Sequence, residues 1–439
     1  MAEISGFPYF EVQFKKDGAV HDENEVQQAL DFVGQGAGTV TDLLVISHGW
    51  NNDIDDARNL YQNFFQNLRA ELDSGKVSLG DRKLGVLAVL WPSKKFTDRE
   101  LIPSGAASAA SEVSTEVLEE EIDHTFAGTG AEADAAQAKL LALDLEDDPA
   151  ARNEFVDLVR KLLSGKDEDE DVPGTLFSQP GDQILQQLSA PLPLVQATSP
   201  SDLGGATSTE PAADSAGGAA GLGLLKGIKG GAFKLLNLAT YYQMKERAGV
   251  VGRDGLNKVL RRIREKRSDL DIHLIGHSFG GRLVSAAALG PDVADPVQPV
   301  SLTLLQAAFS HYGFSGNYEG GKPGFFRKVL GEGRIKGPIL VTCTHNDSAV
   351  GKAYPIASQL AGQVGAGLGD KNSRWGGIGA NGAQKTDEAG DGKLLEAGGA
   401  YEWTAGRIHN LNADAFIKNH SDICGKQVAH ALLSAIATT

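Results

Sequence analysis

Residues Asp271 to Gly281 read Asp-Ile-His-Leu-Ile-Gly-His-Ser-Phe-Gly-Gly, a serine with a glycine two places to either side, set between an apolar run and a helical pattern. No other stretch constrains the fold as strongly. A serine on a sharp strand-to-helix turn projects its hydroxyl, and glycine at the flanking positions lets neighbouring backbone pass close by. Such a kink costs about 1–3 kcal/mol and is usually kept for function. Ile272 to Ile275 reads as a buried strand, and Phe279 to Leu289 as a helix whose small residues face a sheet. Ser278 is therefore the candidate nucleophile, with Gly276, His277 and Gly280 forming its elbow. An ordinary glycine-rich strand-to-helix turn carries the same spacing, so partners for the serine have to be found elsewhere.

The rest of the chain alternates strand and helix patterns. Strands are expected at Tyr9 to Phe14, Leu43 to Ser47, Leu84 to Leu90, Val300 to Leu305, Pro338 to Thr344 and Arg407 to Leu411. Helices are expected at Glu23 to Val33, Ile54 to Leu72, Leu256 to Lys266 and Asp422 to Ile436. This alternation predicts an α/β fold with a parallel sheet. It is interrupted between about Thr97 and Leu238, so residues 1–96 and 239–439 are expected to form the core and 97–238 an inserted lid-like region. The insertion carries the charge run Lys166 to Asp171 and a Pro/Ser/Ala/Gly tract from Pro191 to Gly221, compositions expected to be flexible. Its helix-like segments are Ala131 to Leu163 and Gly221 to Ala239. The second is apolar with a few lysines and reads equally as a lid, a membrane-leaning amphipathic segment or a packed helix.

Bulk properties exclude several functions. A net charge of −16 over 439 residues lacks the basic surface that phosphate backbones require, so no nucleic-acid partner is expected. The start Met-Ala-Glu-Ile-Ser-Gly-Phe has neither the basic residues nor the apolar core of a signal peptide, which makes a cytoplasmic location the expectation and leaves signal-independent export open. Two cysteines, Cys343 and Cys424, do not make a disulfide framework and read as packing residues.

Serine needs a histidine to take its proton, and the histidine needs a carboxylate to hold its tautomer. In α/β hydrolases, whose nucleophile elbow the Gly276 to Gly280 spacing resembles, the acid and then the base follow the serine along the chain on loops after strands. The run Ile339 to Cys343 leads into Thr344-His345-Asn346-Asp347, which nominates Asp347 over Asp292, Asp295 and Asp370. Of ten histidines, His21, His48 and His124 precede the serine, His273 and His277 belong to the elbow, and His311 and His345 come no later than the acid loop. His409 falls in a strand and His430 in the last helix. His420, between that strand and that helix, is the candidate base. One oxyanion donor is expected from the Phe279 N–H and another from Trp50, in the His48-Gly49-Trp50-Asn51-Asn52 loop that ends an earlier strand. Each such donor is worth about 2.7–4 kcal/mol in the transition state.

Other patterns fail on context. Gly377-Ile378-Gly379-Ala380-Asn381-Gly382 matches a dinucleotide fingerprint, but no strand precedes it and it reads as a loop. Asp53, Asp55 and Asp56 lack the glycine and distal glutamate of a calcium loop and read as acids at a helix N-terminus. No metal site is expected.

Taken together, His48-Gly49-Trp50-Asn51-Asn52, Leu90-Trp91-Pro92-Ser93, Gly276-His277-Ser278-Phe279-Gly280-Gly281, Thr344-His345-Asn346-Asp347 and Asn419-His420-Ser421-Asp422 resemble the α/β hydrolase superfamily, in its bacterial serine esterase- and lipase-like branch. The resemblance covers about residues 8–95 and 240–437. It implies an α/β-hydrolase fold with a mostly parallel eight-stranded sheet and helices on both faces, a Ser278/Asp347/His420 triad, and no metal or organic cofactor. The long insertion after Ser93 departs from it, which leaves the substrate open. The expected activity is hydrolysis of a small-molecule or lipid carboxylic ester through an acyl-enzyme. Two alternatives stay open: a lipase or phospholipase with peripheral membrane contact through the insertion, and a non-catalytic hydrolase-like scaffold whose insertion binds a partner. Ester against amide preference and oligomeric state also stay open.

Overall fold

The computed structural model describes residues 2–36, 40–93, 113–163, 172–190, 225–291, 296–347, 360 and 371–439. The chain divides into two compact units, one made of Met1–Lys94, Met244–Val350 and Gly377–Thr439, the other of Lys95–Gln243 and Gly351–Gly376.

The first unit is built on nine strands: β1 (Ala2–Ile4), β2 (Phe7–Gln13), β3 (Asp42–Ser47), β4 (Leu84–Leu90), β5 (Asp271–His277), β6 (Ser301–Leu305), β7 (Ile339–Cys343), β8 (Ala389–Lys393) and β9 (Ile408–Asn412). They form one sheet in the order β1-β2-β4-β3-β5-β6-β7-β9-β8, parallel except for β1. The expected eight strands are thus nine among the described residues, and the two edges supply the pairs that sequence patterning overlooks. β1 folds back on β2 through Ser5 and Gly6, both at positive φ, the geometry of a tight hairpin turn. β8 reads Ala-Gly-Asp-Gly-Lys, with no apolar periodicity at all, and is largely exposed. Its ladder to β9, rather than burial, makes it a strand.

Chain order then gives the helices α1 (Glu23–Val33), α2 (Ile54–Asp73), α3 (Thr115–Phe126), α4 (Glu132–Asp144), α5 (Pro149–Lys161), α6 (Thr175–Ser178), α7 (Gly181–Ser189), α8 (Gly227–Val250), a π-helical turn at Val251–Leu256, α9 (Asn257–Lys266), α10 (Phe279–Leu289), α11 (Arg327–Gly331), α12 (Ile378–Asn381) and α13 (Lys426–Ile436). Asp53 caps α2 in a reciprocal box with Asp56, which accounts for the acidic cluster there. The closing helix starts at Lys426 rather than Asp422, because Ser421 to Ile423 form turns. Gly377 to Gly382, expected as a loop, contains the one-turn helix α12.

Leu44, Ile46, Val86, Ala88, Ile275 and Leu305 share one core with α2 and α13. The alternating residues Leu43, Val45, Leu87, Val89 and Leu274 are buried as well, on the face where α10 meets β3 and β5. Burial on both faces is why these strands read as unbroken apolar runs.

In the second unit, the stretch Ala131 to Leu163 is two helices. Asp148 caps α5 and Pro149 occupies its first turn, where a missing N–H does no harm. Of the expected segment Gly221 to Ala239, the part from Gly227 is helical, and Leu235, Leu236, Leu238 and Ala239 are buried. Buried Lys234 donates to the Leu188 and Ala190 carbonyls at the end of α7, and burial holds its ammonium pKa down to about 8. No helix among the described residues is long and apolar enough to cross a membrane. The run Lys166 to Asp171, the tract Pro191 to Gly221 and the rival acids Asp292, Asp295 and Asp370 lie outside the described residues.

The amino ends of the central strands are tied by a sealed polar chain. Buried Asp42 accepts from Thr41 Oγ1 at 2.6 Å and from Arg82 at 2.6 Å, and its Oδ1 lies 3.0 Å from Nε2 of buried His273. His273 Nδ1 lies 2.8 Å from Ser301 Oγ, and Arg82 also reaches the carbonyl of Thr439. Asp42→Ala leaves a histidine and an arginine without their shared acceptor, and the expected loss of about 3 kcal/mol or more in unfolding free energy is read from urea denaturation. A change within a few tenths of a kcal/mol would contradict the network's role.

Candidate active site

β5 delivers the chain to Ser278 at the carboxyl edge of the sheet, in register with the end of β3 (Ser47 opposite Gly276). Ser278 has φ 55° and ψ −125°, a conformation that costs a side-chain-bearing residue about 1–3 kcal/mol. Backbone bonds on both sides hold it there. Its N–H donates to the Leu305 carbonyl at 3.1 Å, and its carbonyl accepts from Gly281 at 2.9 Å and Ala308 at 3.0 Å. The elbow has no room for a larger neighbour: a Cβ on Gly280 would stand 2.2 Å from the Ser47 carbonyl oxygen, and one on Gly276 would stand 2.4 Å from that of Gly280.

The loop after β3 lies directly against the serine. A Cβ on Gly49 would come 2.6 Å from Ser278 Cβ and 3.2 Å from Ser278 Oγ. The next residue, Trp50, brings its ring to 5.8 Å from that of Phe279, so the side chains of the two residues expected to supply oxyanion amides are neighbours. A set of side chains shapes this loop. The His48 N–H donates to Tyr61 Oη at 2.8 Å, and Tyr61 in turn donates to the Val89 carbonyl at 2.7 Å. Trp91 N–H donates to His48 Nε2 at 3.3 Å, which leaves the proton on Nδ1, 3.0 Å from the Gly49 carbonyl. Burial pushes the His48 pKa down to about 4 despite that hydrogen bond, so the ring is a neutral brace. Asn51 takes φ 61°, and Ser93 secures Asn51 and Asn52 through its carbonyl and hydroxyl. His48 and Asn51 therefore shape the loop, while Asp53 is the helix cap.

The two residues nominated as acid and base, Asp347 and His420, are brought together. His420 Nδ1 lies 2.8 Å from Oδ2 of Asp347, with the Asp347 side chain 0% and the His420 side chain 9% exposed. Because a carboxylate only accepts, Nδ1 carries the proton and Nε2 is left as the basic atom. His277 connects this pair to the elbow. A carbonyl also only accepts, so His277 Nε2–H donates to the His420 carbonyl at 2.9 Å, and the two rings lie 4.9 Å apart. Burial, reinforced by the neighbouring His420, pushes the His277 pKa down to about 3, so its buried Nδ1 is a bare lone pair with no hydrogen-bond partner. No hydrogen bond joins Ser278 Oγ to His420. Such bonds are often long before substrate is bound.

Asp414, which no motif or spacing points to, organises the loop that carries Asp347. Its carboxylate accepts from Thr344 Oγ1 and from the His345 N–H, each at 2.8 Å, and Asn346 donates to the Asp414 and Ile417 carbonyls. Burial alone would raise the Asp414 carboxyl, but hydrogen bonds from Asn412, His345 and Thr344 outweigh it and hold the pKa at about 2. α12 contributes as well: Thr344 N–H donates to the Gly379 carbonyl and Gly379 N–H to that of Ala307, linking the Asp347 loop to the segment after β6 that also bonds Ser278. Other histidines play other parts. His430 is bonded to Glu71 and the Gly399 carbonyl, and His409 accepts from Thr404. Among the described residues no group of three His, Cys, Asp or Glu side chains is placed to hold a metal ion.

Gly49→Ala drives a methyl group against Ser278, and the expected effect is a roughly hundredfold slower reaction of Ser278 with a fluorophosphonate in a chain that still folds. Labelling at the wild-type rate would refute the close approach. His48 and His277 resist protons that the unfolded chain accepts near pH 6.5. Their stabilisation is thus complete above that pH and declines as pH falls, until His48 protonates near pH 4 and His277 near pH 3. The drop in urea midpoint between neutral and acid pH is expected to shrink in His277→Gln, and an identical drop would count against it. Comparison of the chain with family models, with curated proteins and with solved structures returns no match.

Proposed function

We propose that this chain has an α/β-hydrolase fold and is a serine hydrolase that cleaves carboxylic esters. The observation that carries the proposal is a buried His420–Asp347 pair held, through His277, beside a serine in a left-handed backbone conformation. In the proposed reaction, Ser278 Oγ attacks the ester carbonyl carbon while its proton passes to His420 Nε2. Asp347 stabilises the imidazolium, and the backbone amides of Trp50 and Phe279 receive the oxyanion. Collapse expels the alcohol, which takes the proton from His420 and leaves an acyl-serine. Water, deprotonated by the same nitrogen, releases the acid and restores the serine. Every step uses side chains and backbone of the first unit, and none requires a cofactor.

Ser278→Ala is expected to lower kcat on short-chain esters on the order of a millionfold and to abolish fluorophosphonate labelling. Undiminished hydrolysis by that variant would reject the triad, and absence of labelling in a folded wild-type sample would favour a non-catalytic scaffold. A rate jump on micellar over monomeric esters would redirect the substrate class to lipids.

A further inference from the structure

The nucleophile helix carries a cation for which hydrolysis itself has no use. Arg282 is the fourth residue of α10, one helical turn beyond Ser278, and only 5% of it is exposed. Its Nε donates to the Lys245 carbonyl at 2.9 Å. Its guanidinium carbon lies 4.9 Å from the centre of the Phe325 ring and 5.6 Å from that of Phe326. No carboxylate of any described residue pairs with it, and its terminal nitrogens make no hydrogen bond. The terminal nitrogens keep contact with solvent, and in a chain of net charge −16 they face no carboxylate of a described residue. Two aromatic faces partly stabilise a guanidinium but leave its forked donors unused.

The location ties this cation to the site. Arg282 lies four residues beyond Ser278, and its Cα–Cβ bond tilts toward the helix end that bears Ser278. The aromatic clamp also joins the elbow directly: Phe326 packs on Phe309 with ring centres 5.0 Å apart, and the preceding Ala308 donates to the Ser278 carbonyl. Phe325 is 48% exposed, so the wall over the guanidinium is one that solvent, and hence a ligand, reaches.

We propose that Arg282 is an anion-binding residue beside the nucleophile, and that the ester cleaved at Ser278 carries a second, negatively charged group. The proposal deepens the hydrolase assignment and rests on it for the identity of the reacting bond. The guanidinium fork receives the anionic end of the substrate and orients the ester carbonyl toward Ser278, acting in binding rather than in proton transfer.

The test compares monomethyl with dimethyl esters of succinic, glutaric and adipic acids on the full chain. Wild type is expected to favour at least one monoester over its diester, and the ratio of the two kcat/KM values is expected to fall about ten- to a hundredfold in Arg282→Met, with partial recovery in Arg282→Lys. A preference for diesters, or a fall in both substrates by the same factor, overturns the proposal and leaves Arg282 as a packing clamp. Calorimetric binding of the monoesters to Ser278→Ala, with and without Arg282→Met or Arg282→Lys, separates the two assignments. Arginine-dependent binding in a chain whose wild type turns over no ester upholds the anion site and rejects hydrolysis. Turnover without arginine-dependent binding does the reverse.

Discussion

The structure depends on how closely the elbow after β5 meets the end of β3. With Ser47 in register with Gly276, the backbone of Gly280 approaches the Ser47 and His48 carbonyls to a distance at which no Cβ would fit. That contact forces Ser278 into its left-handed conformation and lays Gly49 across its side chain. Trp50 and Phe279 become neighbours for the same reason. A strained serine is worth holding only if a rigid frame over-determines it, and hydrogen bonds from β6 and the residues after it supply that frame.

The histidines show how environment, rather than residue type, assigns a role. His48 and His277 are buried without a carboxylate, stay neutral and act as spacers with fixed tautomers. His273 stands between Ser301 and Asp42 in a chain of serine, histidine and aspartate much like a catalytic set, yet all three are sealed at the amino ends of the strands. No substrate reaches them, and Ser301, an ordinary strand residue, is not raised on a turn. His420 alone combines a buried carboxylate on one nitrogen with a backbone carbonyl that holds it to the elbow through His277. The acid loop needs its own support, and Asp414 provides it by gathering Thr344, His345 and Asn346 around one carboxylate.

Charge is distributed in the same uneven way. Most surface arginines of the first unit sit against carboxylates, as in Arg58 with Glu11 and Arg327 with Glu388. Arg282 instead lies against two phenyl rings on the helix that follows Ser278. That placement beside aromatic rings, with no carboxylate of a described residue against it, sets Arg282 apart from the paired arginines of the surface.

Much of this was legible in the chain. The apolar runs of β3, β4, β5 and β7 marked a buried parallel sheet, because strands covered on both faces need no polar alternation. Glycine spacing around Ser278 located the elbow, since only a backbone without Cβ tolerates the approach, and chain order nominated Asp347 and His420. The edges were not legible: β8 is a strand by virtue of its pairing with β9, and nothing in Ala-Gly-Asp-Gly-Lys encodes that. Nor were Asp414, the bracing of His277 against the His420 carbonyl, or the missing counter-charge of Arg282. Periodicity and spacing report what a residue does with its neighbours along the chain. These roles arise between residues far apart in sequence, where only the folded backbone decides which polar atoms are paired and which are not.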